Sequence, residues 1–222
     1  MVVIYNMNVT LNTNELVQTL PINHEIIKIE KRGVIVRGES SRDKIKRRPK
    51  KTEPKSKTGF GHNSITVVVM NNGDGKLPMK EITVKIFQNG VFHFTGVLDD
   101  SYDRRALDIL ISAIPKTCIT NEIDDIKIIT RRVVLMNYTS ELTKKTIVAR
   151  EGLSRAIRAM HNPELTVSYD PDVYPGIKIK FSNRWTANIF RTGKIILTGI
   201  TSKEECDTFK NTLEDLLEKT LP

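Results

Sequence analysis

The sequence predicts an α+β fold built from one unit used twice, in the order strand, helix, strand, hairpin, helix. The first observation is self-similarity. Residues 86–96 read IFQNGVFHFTG and residues 189–199 read IFRTGKIILTG, so the pattern I-F-x-x-G-x-x-x-x-T-G returns after 103 residues. The second is that each copy runs into an acidic helix start followed by apolar residues at helical spacing. The third is an extended run ahead of each hairpin, residues 64–70 (SITVVVM) and 176–181 (GIKIKF).

Along the chain, the first unit opens with Asn6-Met7 and Leu11, and a short helix over residues 13–20 ends at Pro21. A basic insertion, read as a loop over 38–62, precedes its hairpin. After the hairpin, Asp99 and Asp100 cap a helix with Ala106, Ile109, Leu110, Ala113 and Ile114 inward, stopped by Pro115. The second unit repeats the opening as Asn137-Tyr138 and Leu142. Its first helix sets Leu153, Ala156, Ile157 and Met160 on one side, with Glu151 and Arg155 spaced for an exposed ion pair. Its last helix starts at a capping-box pair, Ser202 and Glu205, and buries Cys206, Phe209, Leu213, Leu216 and Leu217. The repeats are thus placed at 1–116 and 124–222.

The hairpin turns decide which side chains share a face. With a three-residue loop closed by Gly90 or Gly193, Val84, Ile86, Phe92 and Phe94 lie together, as do Ala187, Ile189, Ile195 and Leu197. Both sets are wholly apolar and suit the helix side. A two-residue loop mixes polar and apolar residues on both faces, so the three-residue loop is expected. The opposite face then shows Lys85, Phe87, Val91, His93 and Thr95 in the first copy. In the second it shows Asn188, Phe190, Lys194, Ile196 and Thr198. An open face bearing large apolar side chains marks a partner surface.

The chain of 222 residues is 39% hydrophobic and 27% charged, a globular balance, with a formal net charge of +9. Residues 42–58 (RDKIKRRPKKTEPKSKT) hold nine Lys/Arg against two Asp/Glu, hence +7 of that total. With one aliphatic and no aromatic side chain, this segment cannot bury enough surface to order itself. It reads as a solvated tether, a phosphate-binding arm or a nuclear import signal, with Lys44, Lys46, Arg47, Arg48, Lys50 and Lys51 as its contact residues. The rest of the chain is left almost neutral. No apolar run approaches the roughly 18 residues of a membrane span, and the N-terminus lacks a secretory pattern, so an intracellular protein without membrane contact is expected. Cys118 and Cys206 cannot frame a disulfide network, and the four histidines show no ligand spacing. The carboxylate pairs sit at helix starts or turns. No metal site, cofactor or catalytic function is expected.

I-F-x-x-G-x-x-x-x-T-G followed by a helix, duplicated in pseudo-twofold halves, resembles the TATA-box-binding protein (TBP) family. In the second half, Tyr174-Pro175-Gly176-Ile177 looks like that family's strand opening, sixteen residues ahead of Phe190. The basic stretch before Asn63-Ser64-Ile65 is also similar to divergent TBP-like proteins of large nucleocytoplasmic DNA viruses. The resemblance implies a saddle: one curved antiparallel sheet of about ten strands, with four helices on the convex face and the DNA minor groove on the concave one. It implies a basal initiation factor that bends A·T-rich promoter DNA and recruits a TFIIB-like factor and RNA polymerase. It implies a nuclear location, or for a viral member the host nucleus or a cytoplasmic viral factory. Whether two free copies pair as a homodimer stays open.

Carried over residue by residue, Phe87 and Phe190 are wedges between base steps. Tyr174 stands where the family has the partner Phe of the second half, and Asn63 holds the corresponding first-half place, with Phe60 and His62 nearby. Asn6, Asn137, Thr95 and Thr198 match polar readout positions, where an amide donates to A N3 or T O2. Val91 and Ile196 crowd out the G amino group. Lys85, Lys194 or the loop add phosphate contacts. A second reading keeps the fold but turns the Phe-bearing face on a protein, with DNA affinity weak or confined to the loop.

Overall fold

The computed structural model describes residues 1–32, 34–44, 63–141 and 148–220. They form two compact units, Met1–Val134 and Leu135–Pro222.

Unit 1 starts with β1 (Val2–Met7), whose alternation buries Val3, Tyr5 and Met7. The helix α1 (Thr13–Thr19) begins where the Asn12 side chain accepts from the Asn14 and Glu15 amides, and it stops just before Pro21. Strands β2 (Ile26–Lys31), β3 (Ile35–Gly38), β4 (Ser64–Asn71), β5 (Lys80–Phe87) and β6 (Val91–Thr95) lead to helix α2 (Asp100–Ala113), capped by Asp99. Residues beyond α2 stay with this unit: Leu11 bridges Ile119, and the Thr120 amide donates to the Thr10 carbonyl at 2.9 Å. The strand order is β3-β2-β4-β5-β6-β1, with the opening residues of β7 (Ile128–Glu141) beside β1.

Unit 2 takes up the later residues of β7. It continues through α3 (Arg150–Ala159), β8 (Leu165–Asp170), β9 (Tyr174–Phe181), β10 (Thr186–Ile189), β11 (Lys194–Ile200) and α4 (Lys203–Glu218), in strand order β7-β11-β10-β9-β8. The described residues therefore hold eleven antiparallel strands, against about ten expected, and four α-helices. Strands β2, β3 and β8 are additions to the five-element unit read from the sequence.

Both hairpins have the three-residue loop. Ile86 pairs with Phe92 and Ile189 with Ile195, and the Gly90 and Gly193 amides donate back to the Phe87 and Phe190 carbonyls at 3.1 and 3.0 Å. Gly90 has φ +74°, and a Cβ there would stand 2.2 Å from the Val9 carbonyl oxygen, so only glycine fits this turn. The apolar faces are the two cores. Val84, Ile86, Phe92 and Phe94 are fully buried with α1 and α2 residues such as Leu16 and Leu110. Ala187, Ile189, Ile195 and Leu197 pack with Leu153, Cys206, Phe209 and Leu213.

Two helix details depart from expectation. On α3, Leu153 and Ile157 are buried, but Met160 is 40% exposed and Ser154 takes an inner place instead. Glu151 and Arg155 stand 3.9 Å apart, both in solvent, where such a pair contributes little. At α4, Ser202 Oγ accepts from the Glu205 amide as a cap, yet the Glu205 carboxylate does not close the box. It accepts from Trp185 Nε1 at 2.7 Å, Arg184 at 2.8 Å and the Thr201 amide at 2.8 Å. Burial raises its pKa, but these donors outweigh that and hold the carboxyl at about 2, below its ordinary 4.5. Because the folded value is depressed, the stabilisation is complete above pH 4.5 and disappears as the pH falls toward 2. Glu205→Gln should therefore lower the urea midpoint at pH 7, and its gap from wild type should close over that acid window.

Candidate nucleic-acid interface

The face of each sheet away from the helices is built from rungs of side chains fixed by strand register. In unit 1 the rung nearest the hairpin turn is Asn6, Val91, Phe87 and Ser64. The next is Ile4, His93, Lys85, Thr66 and Glu30, and the third Val2, Thr95, Thr83, Val68 and Lys28. In unit 2 the first rung has Glu141, Lys194 and Phe190, with Phe190 lying over Gly176. The second has Thr139, Ile196, Asn188, Lys178 and Ser168, and the third Thr198, Thr186, Lys180 and Thr166.

The expected face thus exists in both units. Phe87, Val91, Thr95, Phe190, Ile196 and Thr198 all lie on it, half-buried, and neither Phe enters a core. Each wedge candidate has a ring neighbour. Phe87 tilts against His93 at 5.0 Å, and Tyr174 meets Phe190 edge-on at 5.8 Å. Gly176 makes the second pair possible, since a Cβ there would stand 3.0 Å from the Tyr174 ring and 3.2 Å from the Phe190 ring. Asn63 is exposed at the head of β4. The threonines are held alike: Thr95 Oγ1 donates to the Thr83 carbonyl at 3.3 Å and Thr198 Oγ1 to the Thr186 carbonyl at 3.4 Å.

The register corrects one match. Asn6 pairs with Val91, whose repeat counterpart Lys194 pairs with Glu141, so Glu141 rather than Asn137 occupies the position equivalent to Asn6. Both asparagines are exposed. Asn6 Nδ2 donates to Thr130 Oγ1 at 2.7 Å, and Asn137 falls at the β-bulge near Thr198.

Thr83, Thr186, Lys178 and Lys180 are among the residues of the face that escaped the sequence reading. Thr83 and Thr186 carry the same 103-residue offset as the hairpins and could have been found by extending it. Lys178 and Lys180 alternate with buried Ile177 and Ile179, so β9 turns its cations outward. The near-neutral net charge of the folded part conceals these lysines.

The units differ at the third rung. In unit 2 it borders an open concavity of about 690 Å³ lined by Lys178, Lys180, Thr186, Asn188 and Thr198. In unit 1 a strap of residues 40–44 lies across it. Lys28 Nζ donates to Asp43 at 2.6 Å, Asp43 also accepts from the Ser40 amide and hydroxyl, and Glu81 takes the Ser41 amide at 2.8 Å. The Lys28 bond, with help from Ser40, holds the Asp43 carboxyl at about 2. Lys44 ends the strap in solvent. Lys46, Arg47, Arg48, Lys50 and Lys51, with Phe60 and His62, lie outside the described residues. Among the described residues no group of three His, Cys, Asp or Glu side chains could hold a metal ion, and no helix is long and apolar enough to cross a membrane.

Residues 153–220 match the family model described as transcription factor TFIID, or TATA-binding protein, TBP. The carboxy-terminal unit is a TBP-family domain, and the chain has the TBP fold. The fold is shown by the TBP of Methanococcus jannaschii, which superposes with a TM-score of 0.59 over 98% of this chain and 95% of its own, at 15% identity. No curated protein sequence matches the chain. The match runs from within α3 to just beyond the end of α4 and includes the second hairpin.

Proposed function

We propose that the protein binds A·T-rich duplex DNA in the minor groove through the open faces of its two units, bends it, and so marks promoters for a TFIIB-like factor and RNA polymerase. The observation that carries this reading is the recurrence, in the same register, of a half-buried Phe beside a turn and a threonine pair two rungs away. Apolar rings at a rim wedge between base steps, and short hydroxyls with aliphatic neighbours accept A·T while crowding the G amino group. Lys178, Lys180, Lys85 and Lys194 supply phosphate contacts.

A fluorescence-transfer bending assay on a duplex labelled at both ends tests this. The protein should bend an A·T-rich site and prefer it to a G·C-rich one by at least about tenfold. Deleting residues 45–58 should reduce the salt slope without abolishing the bend. Complete loss of affinity on that deletion would place binding in the loop alone. The strap over the third rung of unit 1 favours a second reading, a face that takes a protein partner. Absence of both bending and A·T preference in wild type would leave that one standing.

A further inference from the structure

The second rungs of the two units hold matching register positions but differ in chemistry. In unit 1 the 103-residue offset puts His93 where unit 2 has Ile196, and Lys85 where unit 2 has Asn188. His93 sits between Lys85 on β5 and Ile4 on β1, half-buried on the open face, while Ile196 sits between Asn188 and Thr139. A G·C pair differs from A·T in the minor groove by the guanine N2 donor. Isoleucine offers that donor no acceptor and fills the space it needs. A neutral imidazole carries one acceptor nitrogen. Burial, and then the neighbouring Lys85 charge, lower the pKa of His93, so at neutral pH the ring is in that form.

We infer that His93 is a specificity-determining residue: it lets the half-site under unit 1 accept a guanine amino group, while Ile196 makes the half-site under unit 2 reject one. This rests on minor-groove binding as proposed above. An asymmetric protein of this kind reads polarity from a single G·C pair, because the pair is tolerated only when unit 1 covers it.

Hypoxanthine provides the test, since an I·C pair lacks only the N2 amino group. Affinities would be measured on a set of A·T/I·C duplexes in which I·C becomes G·C, step by step, in one half or in both. For wild type, one exchange should leave the affinity within about twofold, because the protein turns round to suit, whereas exchange in both halves should weaken it about tenfold. His93→Ile should lose about tenfold on the single exchange. Ile196→His should bring the double exchange back to within about twofold. A wild type that loses tenfold on a single exchange at every step, or a His93→Ile protein with the wild-type profile, overturns the assignment. No binding to the parent A·T/I·C duplex would instead fail the minor-groove reading itself. Both variants copy a side chain already carried at the matching register, and a melt alongside wild type confirms folding.

Discussion

Replacing Arg131 by methionine is expected to lower the stability of unit 1 by about 3–5 kcal/mol, the range for breaking one side of a buried ion pair. Asp103 on α2 is fully buried. Arg131 Nε donates to it at 2.9 Å and to the Tyr5 hydroxyl at 3.1 Å, while its second nitrogen reaches Asp100 at 2.7 Å. The Tyr5 hydroxyl donates to the same carboxylate at 2.6 Å. Burial and then the Asp103 hydrogen bond push the Tyr5 phenol up, and the Asp103 bond raises Arg131, so the phenol stays protonated and the guanidinium charged across the working range. Removing the guanidinium takes the ion-pair partner from a carboxylate shut off from solvent and leaves it the Tyr5 hydroxyl as donor. Urea unfolding followed by circular dichroism gives the check: a loss under about 1 kcal/mol would show that the network is dispensable. Adding Asp103→Leu to Arg131→Met should recover most of the loss, because a paired deletion leaves no orphan charge. The consequence reaches the interface. Arg131 anchors β7 to α2, and its neighbours Thr130 and Arg132 project to the opposite face, where Thr130 holds the Asn6 amide.

What could be read from residues alone follows from periodicity. The hairpins, α2 and α4 were legible because each carries a strong pattern twice, and the register choice followed from demanding an apolar face in both copies at once. Strand β2 was not legible: IIKIEK breaks alternation, and the structure shows why, with a register shift between Ile26 and Lys28. Strand β8 alternates cleanly over LTVSYD but has no self-similar counterpart to draw attention to it. The match of Asn6 to Asn137 failed for a related reason. The short similarity lies in neighbouring letters, whereas the pairing of β1 and β7 with their hairpins sets the positions four residues apart. Strap contacts such as Lys28 to Asp43, fifteen residues apart, carry no period at all, and neither does the three-way network around Asp103.

Phe190→Ala is expected to lose most of the DNA bend and to weaken binding by about ten- to a hundredfold, the range for removing one base-stacking aromatic. Phe190 sits beside the turn rather than in the unit 2 core, so the substitution should leave the melting temperature nearly unchanged. That separates a binding role from a folding one. A fall in stability with no change in bend would refute the wedge. Tyr174 meets Phe190 edge-on with 40% of its surface exposed, and its hydroxyl must shed water if the ring follows Phe190 between bases. Tyr174→Phe should therefore tighten binding a few-fold, whereas a Tyr174 that stays outside the stack would leave affinity unaltered or lower it. Phe87 leans instead on an imidazole whose neighbour is Lys85, so Phe87→Ala disturbs a more polar rim. The larger loss should fall on Phe190, and with it the sharper of the two kinks.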